Sequence, residues 1–377
     1  MVAKRKRVAV VFGGRSGEHE VSILSAASVF QAANKELYEL VPVGITKEGC
    51  WYVGGDPMAI ITDGHMRLTE SIPTTGESQP GTLLPQPGEN SLVAIGEKTK
   101  QMLSPVDVVF PVLHGTYGED GTIQGLLELA DIPYVGAGVV ASAVGMDKAL
   151  MHAIFRDAGL PGVEFLVVKR YELEKQPQEV LKRIEAKLGF PCFVKPANLG
   201  SSVGISKVNS CSQLLPALQL AATYDRKIVV EASAGDVREI EVSVLGNDDP
   251  IVSIPGEIVP AGEFYDYKAK YLDDSELIVP ARISPTAVQQ VQQMAKQAFL
   301  ACDCAGLARV DFFVRKDDEA VIVNEINTMP GFTRISMYPK LWEASGIPYS
   351  ELIDRLINLA LERHADKSRS TTSYEPM

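Results

Sequence analysis

The sequence predicts an α/β protein, with α+β parts, whose N-terminal domain is doubly wound around a parallel sheet. Residues 8–12 are uniformly apolar, and a Gly-rich turn at 13–17 and a helical pattern of apolar residues follow them. A buried strand, a Gly-rich turn and a helix in this order open doubly wound folds. Further along, apolar strands alternate with helices until an alternating strand begins at Arg238. At 377 residues the chain is long enough for two or three domains.

The elements of the first domain follow from short apolar runs. We predict strands at 8–12, 40–45 and 106–113, a helix near 122–130 and a short strand at 133–135. Segment 54–105 is rich in Pro and Gly and keeps no period. It is therefore predicted to be a mostly irregular insertion that carries a short strand or two.

The remaining elements form two further sections. The first carries a helix at 148–158, strands at 164–169, 192–195, 204–208 and 228–231, and helices near 178–188 and 210–222. The second carries strands at 238–244, 307–315 and 320–327, a helix at 285–301 and two C-terminal helices. We therefore predict domains at 1–137, 138–234 and 235–365, and a flexible tail at 366–377 because the residues after His364 are polar.

The net charge and the cysteine content narrow the class of protein. The formal charge is −12, since 48 acidic residues outnumber 36 basic ones, which argues against a nucleic-acid partner. Five cysteines without a metal-binding spacing indicate free thiols in a reducing compartment. No run approaches 18 apolar residues, so we expect a soluble, cytoplasmic protein without a membrane partner.

A predicted hairpin near the C-terminus brings acidic residues together. Glu325 and Asn327 lie two apart in one strand and so share a face. If the hairpin loop holds three or five residues, Asp311 faces Glu325, whereas an even loop would put Asp311 on the other face. Two carboxylates and an amide oxygen suit Mg²⁺ that is carried with nucleotide phosphates. An exposed acidic strand end is the alternative, but the flanking residues are core-like.

Two loops have the composition of ligand-binding segments. Lys195 closes an apolar strand, and the Gly/Ser loop 196–204 follows it. The N–H groups of such a loop can surround phosphate oxygens while the lysine supplies charge, although a flexible hairpin without a ligand is the alternative. Segment 263–271 mixes aromatic residues with lysines, which favours a loop that closes over a site rather than a surface loop with chance aromatics.

Polar residues also follow two strands and the predicted metal hairpin. Glu18 and Glu20 begin the first helix, where they would repel a pyrophosphate and suit a cationic ligand such as an ammonium group. A helix start that these carboxylates stabilise is the alternative. His114 follows the strand 106–113, where open α/β sheets hold ligands, although a lone His is more often structural. Loop 330–337 offers N–H and hydroxyl donors to a carboxylate.

Seven motifs together carry a family resemblance. They are GGRSGEHEVS, LHGTYGEDGT, MDK, FVKPANLGSSVG, FYDYKAKY, ARVDFF and NEINTMPGFTRISMYPKLW, and with their flanking residues they span 8–364. Their joint order resembles the D-alanine–D-alanine ligases of the ATP-grasp superfamily. The resemblance implies a three-domain ATP-grasp architecture and an ATP-dependent ligase that joins two D-alanines through an acyl phosphate, for peptidoglycan precursor synthesis. It also implies two Mg²⁺ or Mn²⁺ ions, K⁺ as a further candidate ion, and a homodimer.

The resemblance also implies roles for single residues. The phosphates of ATP are expected at Lys148, Lys195 and Lys270, with Ser201, Ser202, Asn324 and Glu325 beside the nucleotide, Glu231 at the adenine and Glu239 at the ribose. The metal ligands are expected to be Asp311, Glu325 and Asn327. The first D-alanine is expected to place its ammonium on Glu18, with His114 close by. The tetrahedral oxyanion is expected at Arg309 and the Gly331 N–H, and the carboxylate of the second D-alanine at Ser336 and Met337.

Substrate specificity is expected to depend on Tyr271. The resemblance implies that this tyrosine bridges to Ser201 and on to Glu18, and that relatives preferring D-lactate carry phenylalanine or a rebuilt loop there. A D-alanine–D-lactate or D-serine ligase is therefore the first alternative. Another ATP-grasp carboxylate–amine ligase would need different residues in place of Glu18 and Ser336. A nucleotide-binding regulatory module would tolerate the loss of Arg309 or of the metal carboxylates.

Overall fold

The computed structural model describes residues 4–68, 76–88, 92–95, 100–103, 105–259 and 276–371. Within them, three sheets follow one another along the chain, and the predicted mixed α/β class is confirmed. The first sheet has the strand order β6-β5-β4-β3-β2-β1-β7. Its strands are β1 Lys6–Gly13, β2 Tyr38–Ile45, β3 Trp51–Val53, β4 Gln79–Leu83, β5 Leu92–Ile95, β6 Lys100–Met102 and β7 Val108–Pro111. Beside this sheet lie the helices α1 His19–Ala32, α2 Pro57–Ile61 and α3 Thr122–Leu129.

The parallel part of this sheet consists of β2, β1 and β7. Val8 of β1 pairs with Leu40 on one side and with Val108 on the other. A parallel strand is covered on both faces, which explains why its sequence is a continuous apolar run. The strand predicted at 133–135 is reduced to a single bridge between Val109 and Tyr134.

The insertion at 54–105 is more ordered than the sequence predicted. It contributes α2 and the strands β4, β5 and β6, which continue the sheet from β3 in antiparallel pairs. Asp56 caps α2 by accepting the Ala59 N–H at 3.2 Å. Strands of three to five residues are too short to display a period, and Pro57 in the first turn of α2 is also typical of turns.

The second sheet has the order β10-β9-β11-β8 and is antiparallel. Its strands are β8 Phe165–Lys169, β9 Cys192–Pro196, β10 Ser206–Val208 and β11 Lys227–Ala232. The helices of this section are α4 Val139–Met146, α5 Lys148–Asp157, α6 Arg170–Lys175, α7 Pro177–Leu188 and α8 Cys211–Tyr224. Val194 and Val230 face the core shared with α7 and α8, so the alternating residues Lys195 and Glu231 share the opposite face.

The third sheet has the order β15-β14-β12-β16-β17, and β13 also pairs with β12. Its strands are β12 Val237–Gly246, β13 Ile251–Val252, β14 Gly256–Val259, β15 Glu276–Ile278, β16 Gly306–Arg315 and β17 Val321–Asn327. One face packs against α9, Pro285–Ala301, through residues such as Val242, Val310 and Phe312. The residues that alternate with Val242, Val310 and Phe312 along β12 and β16 therefore occupy the opposite face of the third sheet.

The C-terminal helices join the first sheet to the third. They are α10 Met337–Ala344 and α11 Tyr349–Lys367, and Leu356 of α11 shares one core with Phe110 and Phe332. Contrary to the prediction of a tail after His364, α11 continues to Lys367, because Arg363 and His364 bond to backbone oxygens at 131–136. The last predicted tail residues, 372–377, lie outside the described ones. Among the described helices, none combines the length and the apolar character needed to cross a membrane.

Candidate active site

A cavity of about 910 Å³ lies between the three sheets. Its lining includes most of the residues that were predicted from the sequence: Glu18, His114, Lys148, Ser201, Ser202, Arg309, Glu325, Asn327, Gly331, Ser336 and Met337. Lys195, Glu231, Glu239, Asp311 and Asn324 are not in that lining. Lys270 and Tyr271, together with the rest of the predicted closing loop, lie outside the described residues. The structure thus brings residues of all three predicted domains to one place.

Glu18 stands at the start of α1, beside the Gly/Ser loop of the second section. Its own N–H donates to Ser16 Oγ at 3.0 Å, and Ser201 donates its hydroxyl to the Glu18 carboxylate. A Cβ atom on Gly115 would lie 2.5 Å from Glu18 Oε2, and one on Gly200 would lie 2.9 Å from it. Both glycines therefore permit the backbone to approach the carboxylate. The Ser201–Glu18 part of the predicted bridge is formed.

His114 is buried next to Glu18, and both of its ring nitrogens bond to protein atoms. Nδ1 lies 3.0 Å from the Met329 carbonyl oxygen, and Nε2 lies 3.0 Å from Ser25 Oγ. Burial would lower the pKa of His114, but the hydrogen bond and charge of Glu119, with the charge of Glu18, outweigh it and raise the pKa above its usual value. His114 lines the cavity as predicted, but both of its ring nitrogens are hydrogen-bonded to protein atoms.

Arg309 lies between two carboxylates on the cavity side of the third sheet. Its Nε and Nη2 donate to the two Asp311 oxygens at 2.7 Å each, and Nε lies 3.0 Å from Glu241 Oε2. Burial would lower the pKa of Arg309, but the charges of Asp311 and Glu241 raise it well above its usual value. The guanidinium is therefore a fixed positive charge with a defined plane.

Strand pairing explains why these side chains meet. Glu241 pairs with Asp311, and Asp311 pairs with Glu325, so three carboxylates form one row across β12, β16 and β17. Arg309 and Asn327 form the neighbouring row, two residues along, and so share the face. Glu241 was not singled out from the sequence, although it is a carboxylate in a strand of core-like residues.

The hairpin loop differs from the predicted one. It is even, with residues 316–319 between the paired Arg315 and Ala320, whereas three or five residues were predicted. A register shift between Asp311 and Phe312 compensates, because Phe312 pairs with Val323 and Asp311 pairs with Glu325. The unpaired Asn324 is the bulge residue, and it restores the facing of Asp311 and Glu325 that an odd loop would have produced.

The predicted metal ligands offer oxygen atoms only. Arg309 engages both oxygens of Asp311, and Asn327 Nδ2 donates to Asp311 Oδ2 at 3.0 Å. In the described part of the chain, no group of three His, Cys, Asp or Glu side chains is arranged to hold a metal ion by itself. Mg²⁺ is commonly held by one or two carboxylates together with substrate phosphates, so this donor set fits a cation that arrives with a nucleotide.

Two lysines are held by protein groups near the Gly/Ser loop. Lys148 follows the N-cap Asp147 of α5, and its Nζ donates to the Leu199 carbonyl at 2.9 Å. Lys195 Nζ lies 2.6 Å from Glu231 Oε2. Burial would lower the pKa of Lys195, but the charge of Glu231 raises it, so the lysine stays protonated.

Glu231 has a second buried partner that the sequence reasoning missed. His152 Nε2 lies 2.9 Å from Glu231 Oε1, and its ring packs on Phe165 with centroids 4.9 Å apart. Burial would raise the pKa of Glu231, but the charge of Lys195 and the hydrogen bond of His152 lower it to about 2. The only sequence signal for His152 was its place one turn after Lys148 on α5.

The loop before α10 supplies polar donors at the far side of the cavity. Ser336 Oγ lies 2.7 Å from Thr333 Oγ1 and accepts the Thr333 N–H at 3.1 Å. A Cβ atom on Gly331 would lie 3.0 Å from Ser336 Oγ, so this position favours glycine. Lys340, which was not predicted, adds a positive charge to the same lining.

Comparison with known proteins gives one consistent family. Residues 7–137 match the family model "D-ala D-ala ligase N-terminus", and residues 154–358 match "D-ala D-ala ligase C-terminus". The D-alanine–D-alanine ligase of Heliobacterium modesticaldum is 49% identical over 373 residues, which cover 99% of each chain. The same-named protein of Thermoanaerobacter pseudethanolicus is 50% identical over 97% of this chain and 99% of its own.

Solved structures agree with these relatives. The D-alanine–D-alanine ligase from Coxiella burnetii has a TM-score of 0.79 and 37% identity, and 97% of each chain is covered. The VanG D-Ala:D-Ser ligase from Enterococcus faecalis has a TM-score of 0.82 and 37% identity, with 95% of this chain and 100% of that one covered.

Proposed function

The chain belongs to the D-alanine–D-alanine ligase family of ATP-grasp enzymes, and from this premise we propose that it joins two D-alanine molecules into D-alanyl-D-alanine and converts ATP to ADP and phosphate. The observation that carries the proposal is that Glu18, at the start of α1, and Arg309, on β16 of the third sheet, line one cavity. A carboxylate that can accept an ammonium group and a cation that can stabilise a developing anion together suit an amino acid whose carboxyl group reacts.

The first step forms D-alanyl phosphate. An oxygen of the first D-alanine carboxylate attacks the γ-phosphorus of ATP, and the bond from that phosphorus to ADP breaks. An ammonium group has three N–H donors. Lys195 contacts Glu231 and Lys148 donates to the Leu199 carbonyl, and we propose that both ammonium groups also donate to phosphate oxygens. Positioning and charge neutralisation are the main protein contributions to such a transfer.

Asp311, Glu325 and Asn327 are the proposed ligands for Mg²⁺ or Mn²⁺, with two ions expected and K⁺ as a further candidate. A divalent ion bound there neutralises phosphate charge. The oxygen-only donor set and its place beside the cavity support this assignment. We propose that the nucleotide also contacts Asn324, Glu231 and Glu239. Ser202, which lies on the Gly/Ser loop beside Ser201, is a further proposed nucleotide contact.

The second step forms the peptide bond. The neutral amine of the second D-alanine attacks the acyl carbon, a tetrahedral oxyanion forms, and the bond to phosphate then breaks while the nitrogen loses a proton. Arg309, held by Asp311 and Glu241, and the Gly331 N–H are proposed to stabilise the oxyanion. Ser336 and the N-terminus of α10 at Met337 are proposed to receive the carboxylate of the second substrate.

The choice of the second substrate is proposed to depend on the closing loop. Its Lys270 is a proposed phosphate contact, and Tyr271 is proposed to extend the Ser201–Glu18 hydrogen bond. A closed loop also excludes water, which would hydrolyse the acyl phosphate. We further propose a cytoplasmic homodimer.

The test is ADP release by the purified chain with Mg-ATP, with the products identified by mass. We expect D-alanine alone to give D-alanyl-D-alanine, L-alanine to give no turnover, and added D-lactate or D-serine to give little mixed product. A dominant depsipeptide or D-alanyl-D-serine would overturn the specificity. The absence of D-alanine-dependent ADP release would overturn the proposed reaction.

A further inference from the structure

A chain of buried hydrogen bonds joins α1 to the loop that carries Gly331. The Phe332 N–H donates to Ser25 Oγ at 3.3 Å, and Ser25 Oγ lies 3.0 Å from His114 Nε2. His114 Nδ1 lies 3.0 Å from the Met329 carbonyl oxygen. A carbonyl only accepts, so Nδ1 carries the proton, whereas Nε2 accepts the Ser25 hydroxyl in the neutral ring and donates to Ser25 Oγ in the charged ring. Every bond in this chain then has a donor and an acceptor.

The bonds cross from the first sheet section to the segment after β17. Ser25 and Phe332 are 307 residues apart in sequence, and His114 and Met329 are 215 apart. Ser25 and Phe332 are fully buried, so an unmade hydrogen bond there could not be replaced by bulk water. The loop 329–332 is therefore fixed from both ends, at the Met329 carbonyl and at the Phe332 N–H, while Gly331 between them lines the cavity.

The polar face of α1 explains how one helix serves both substrate binding and this attachment. Glu18 starts the helix, and Ser22 and Ser25 follow at spacings of four and seven residues, so all three lie on one face. Ser22 Oγ accepts the Gly13 N–H at 2.8 Å and donates to the Val112 carbonyl, which holds α1 against the ends of β1 and β7. Ser25 extends this face to the loop of Gly331.

We propose that Ser25 is a positioning residue for the ligase reaction. Through His114 and the Phe332 N–H, it fixes the distance between Glu18 and the Gly331 N–H, and so places the acyl carbon of the substrate under its oxyanion donors. This inference rests on the proposed function. It gives His114 the role of an attachment between two sections of the chain, in place of a direct substrate contact.

The main experiment compares Ser25→Ala with wild type in the full-length enzyme. We expect the kcat for D-alanyl-D-alanine formation to fall about 10-fold to 100-fold, because small displacements of reacting groups are costly in rate. The KM for ATP should stay within about twofold, since the partners of Ser25, His114 and the Phe332 N–H, are not among the proposed nucleotide contacts. The fraction of ADP released without dipeptide should rise, because a misplaced acyl phosphate is open to water.

Ser28→Ala is the matched control. Ser28 lies on the same helix and donates its hydroxyl to the Leu24 carbonyl of that helix at 3.0 Å, so its loss should leave kcat and coupling unchanged. If Ser25→Ala fails to fold, Ser25→Cys keeps the volume with a weaker hydrogen-bonding group and should still lower kcat.

Three outcomes distinguish a failure of the proposed function from a failure of the inference about Ser25. Inactive wild-type enzyme would contradict the proposed function itself. Active wild type with a Ser25 variant that loses only thermal stability, and keeps kcat and coupling, would overturn the inference. A lower kcat with more uncoupled ADP release, and an unchanged Ser28→Ala enzyme, would support it.

Discussion

At the scale of single residues, Arg309 connects the fold to the chemistry. It is held between Asp311 and Glu241 at distances of 2.7–3.0 Å, so its plane is set before a substrate arrives. A preorganised donor contributes most where negative charge develops in the transition state. This geometry supports the proposal that Arg309 acts in catalysis more than in ATP binding.

Arg309→Ala should lower kcat about 100-fold to 1,000-fold, with a much smaller change in the affinity for ATP. Arg315→Ala is the control, because Arg315 lies on the same strand but pairs with Asp318 at an exposed position. Steady-state kinetics at saturating D-alanine, with ATP binding measured by calorimetry, distinguish the two effects. Weakened ATP binding with normal turnover at saturation would contradict the assignment.

Tyr271 tests the proposed specificity. Tyr271→Phe should raise the use of D-lactate as second substrate, because it removes the hydroxyl that we propose to extend the Ser201–Glu18 pair. Tyr265→Phe, in the same sequence segment, is the control and should keep the wild-type preference. The ratio of depsipeptide to dipeptide is measured by mass spectrometry, and an unchanged ratio in the Tyr271 variant would remove this residue from the specificity argument.

Glu231 gives a pH dependence of stability. Its pKa is lowered from 4.5 to about 2 in the folded chain, so it contributes stability above pH 4.5 and loses that contribution as the pH falls towards 2. Glu231→Gln should therefore show a shallower fall in melting temperature between about pH 5 and 3, by about 3 °C or more. Glu185→Gln, at an exposed position of α7, should keep the wild-type slope, and parallel slopes for all three proteins would contradict the role of Glu231.

Most of the predicted site residues that the structure describes line the cavity, but their hydrogen-bond and ion-pair partners could not be predicted from the sequence. Motif order indicated Glu18, Arg309 and Ser336, because each lies within or next to a recognisable strand or turn. Glu241 and His152 were missed because they contact the site through strand register and helix packing, which short sequence patterns do not determine. Ser25 was missed for the same reason, because its hydrogen-bond partners lie far away in the sequence.

At the scale of elements, the β16–β17 hairpin shows what periodicity can and cannot predict. The sequence predicted that Asp311 would face Glu325 only if the loop were odd, but the loop is even and the bulge at Asn324 supplies the extra residue. Alternation indicates which residues should share a face, yet it does not show where the compensating residue lies. The insertion at 54–105 shows the same limit, since its strands are too short for a period.

The hairpin yields a prediction about insertions. One Gly added between Asp317 and Asp318 should leave kcat within about twofold, because an exposed loop absorbs added length. One Ala added between Glu325 and Ile326 should turn Asn327 towards the core and abolish Mg²⁺-dependent turnover. Activity titrated against Mg²⁺ measures both variants, and a loop insertion that inactivates the enzyme would contradict this account of the register.

At the scale of the whole molecule, the cavity exists because three sheets meet and are held together. Phe110 of the first sheet packs edge-on against Phe332, with ring centroids 5.7 Å apart. The guanidinium carbon of Arg363, on α11, lies 4.3 Å from the centroid of the Tyr134 ring. Residues from the start of α1 to α10 therefore face one cavity with a fixed geometry. We propose that the residues around this cavity activate the carboxyl group of D-alanine with ATP.

The most direct test follows oxygen atoms. D-alanine labelled with ¹⁸O in both carboxylate oxygens is incubated with the enzyme and Mg-ATP, and the released phosphate is analysed by mass spectrometry. An acyl phosphate transfers one carboxylate oxygen to phosphate, so we expect one ¹⁸O atom in each phosphate released with D-alanyl-D-alanine. Dipeptide accompanied by phosphate without ¹⁸O would contradict carboxyl activation, and labelled D-alanine that yields neither product would contradict the proposed substrate.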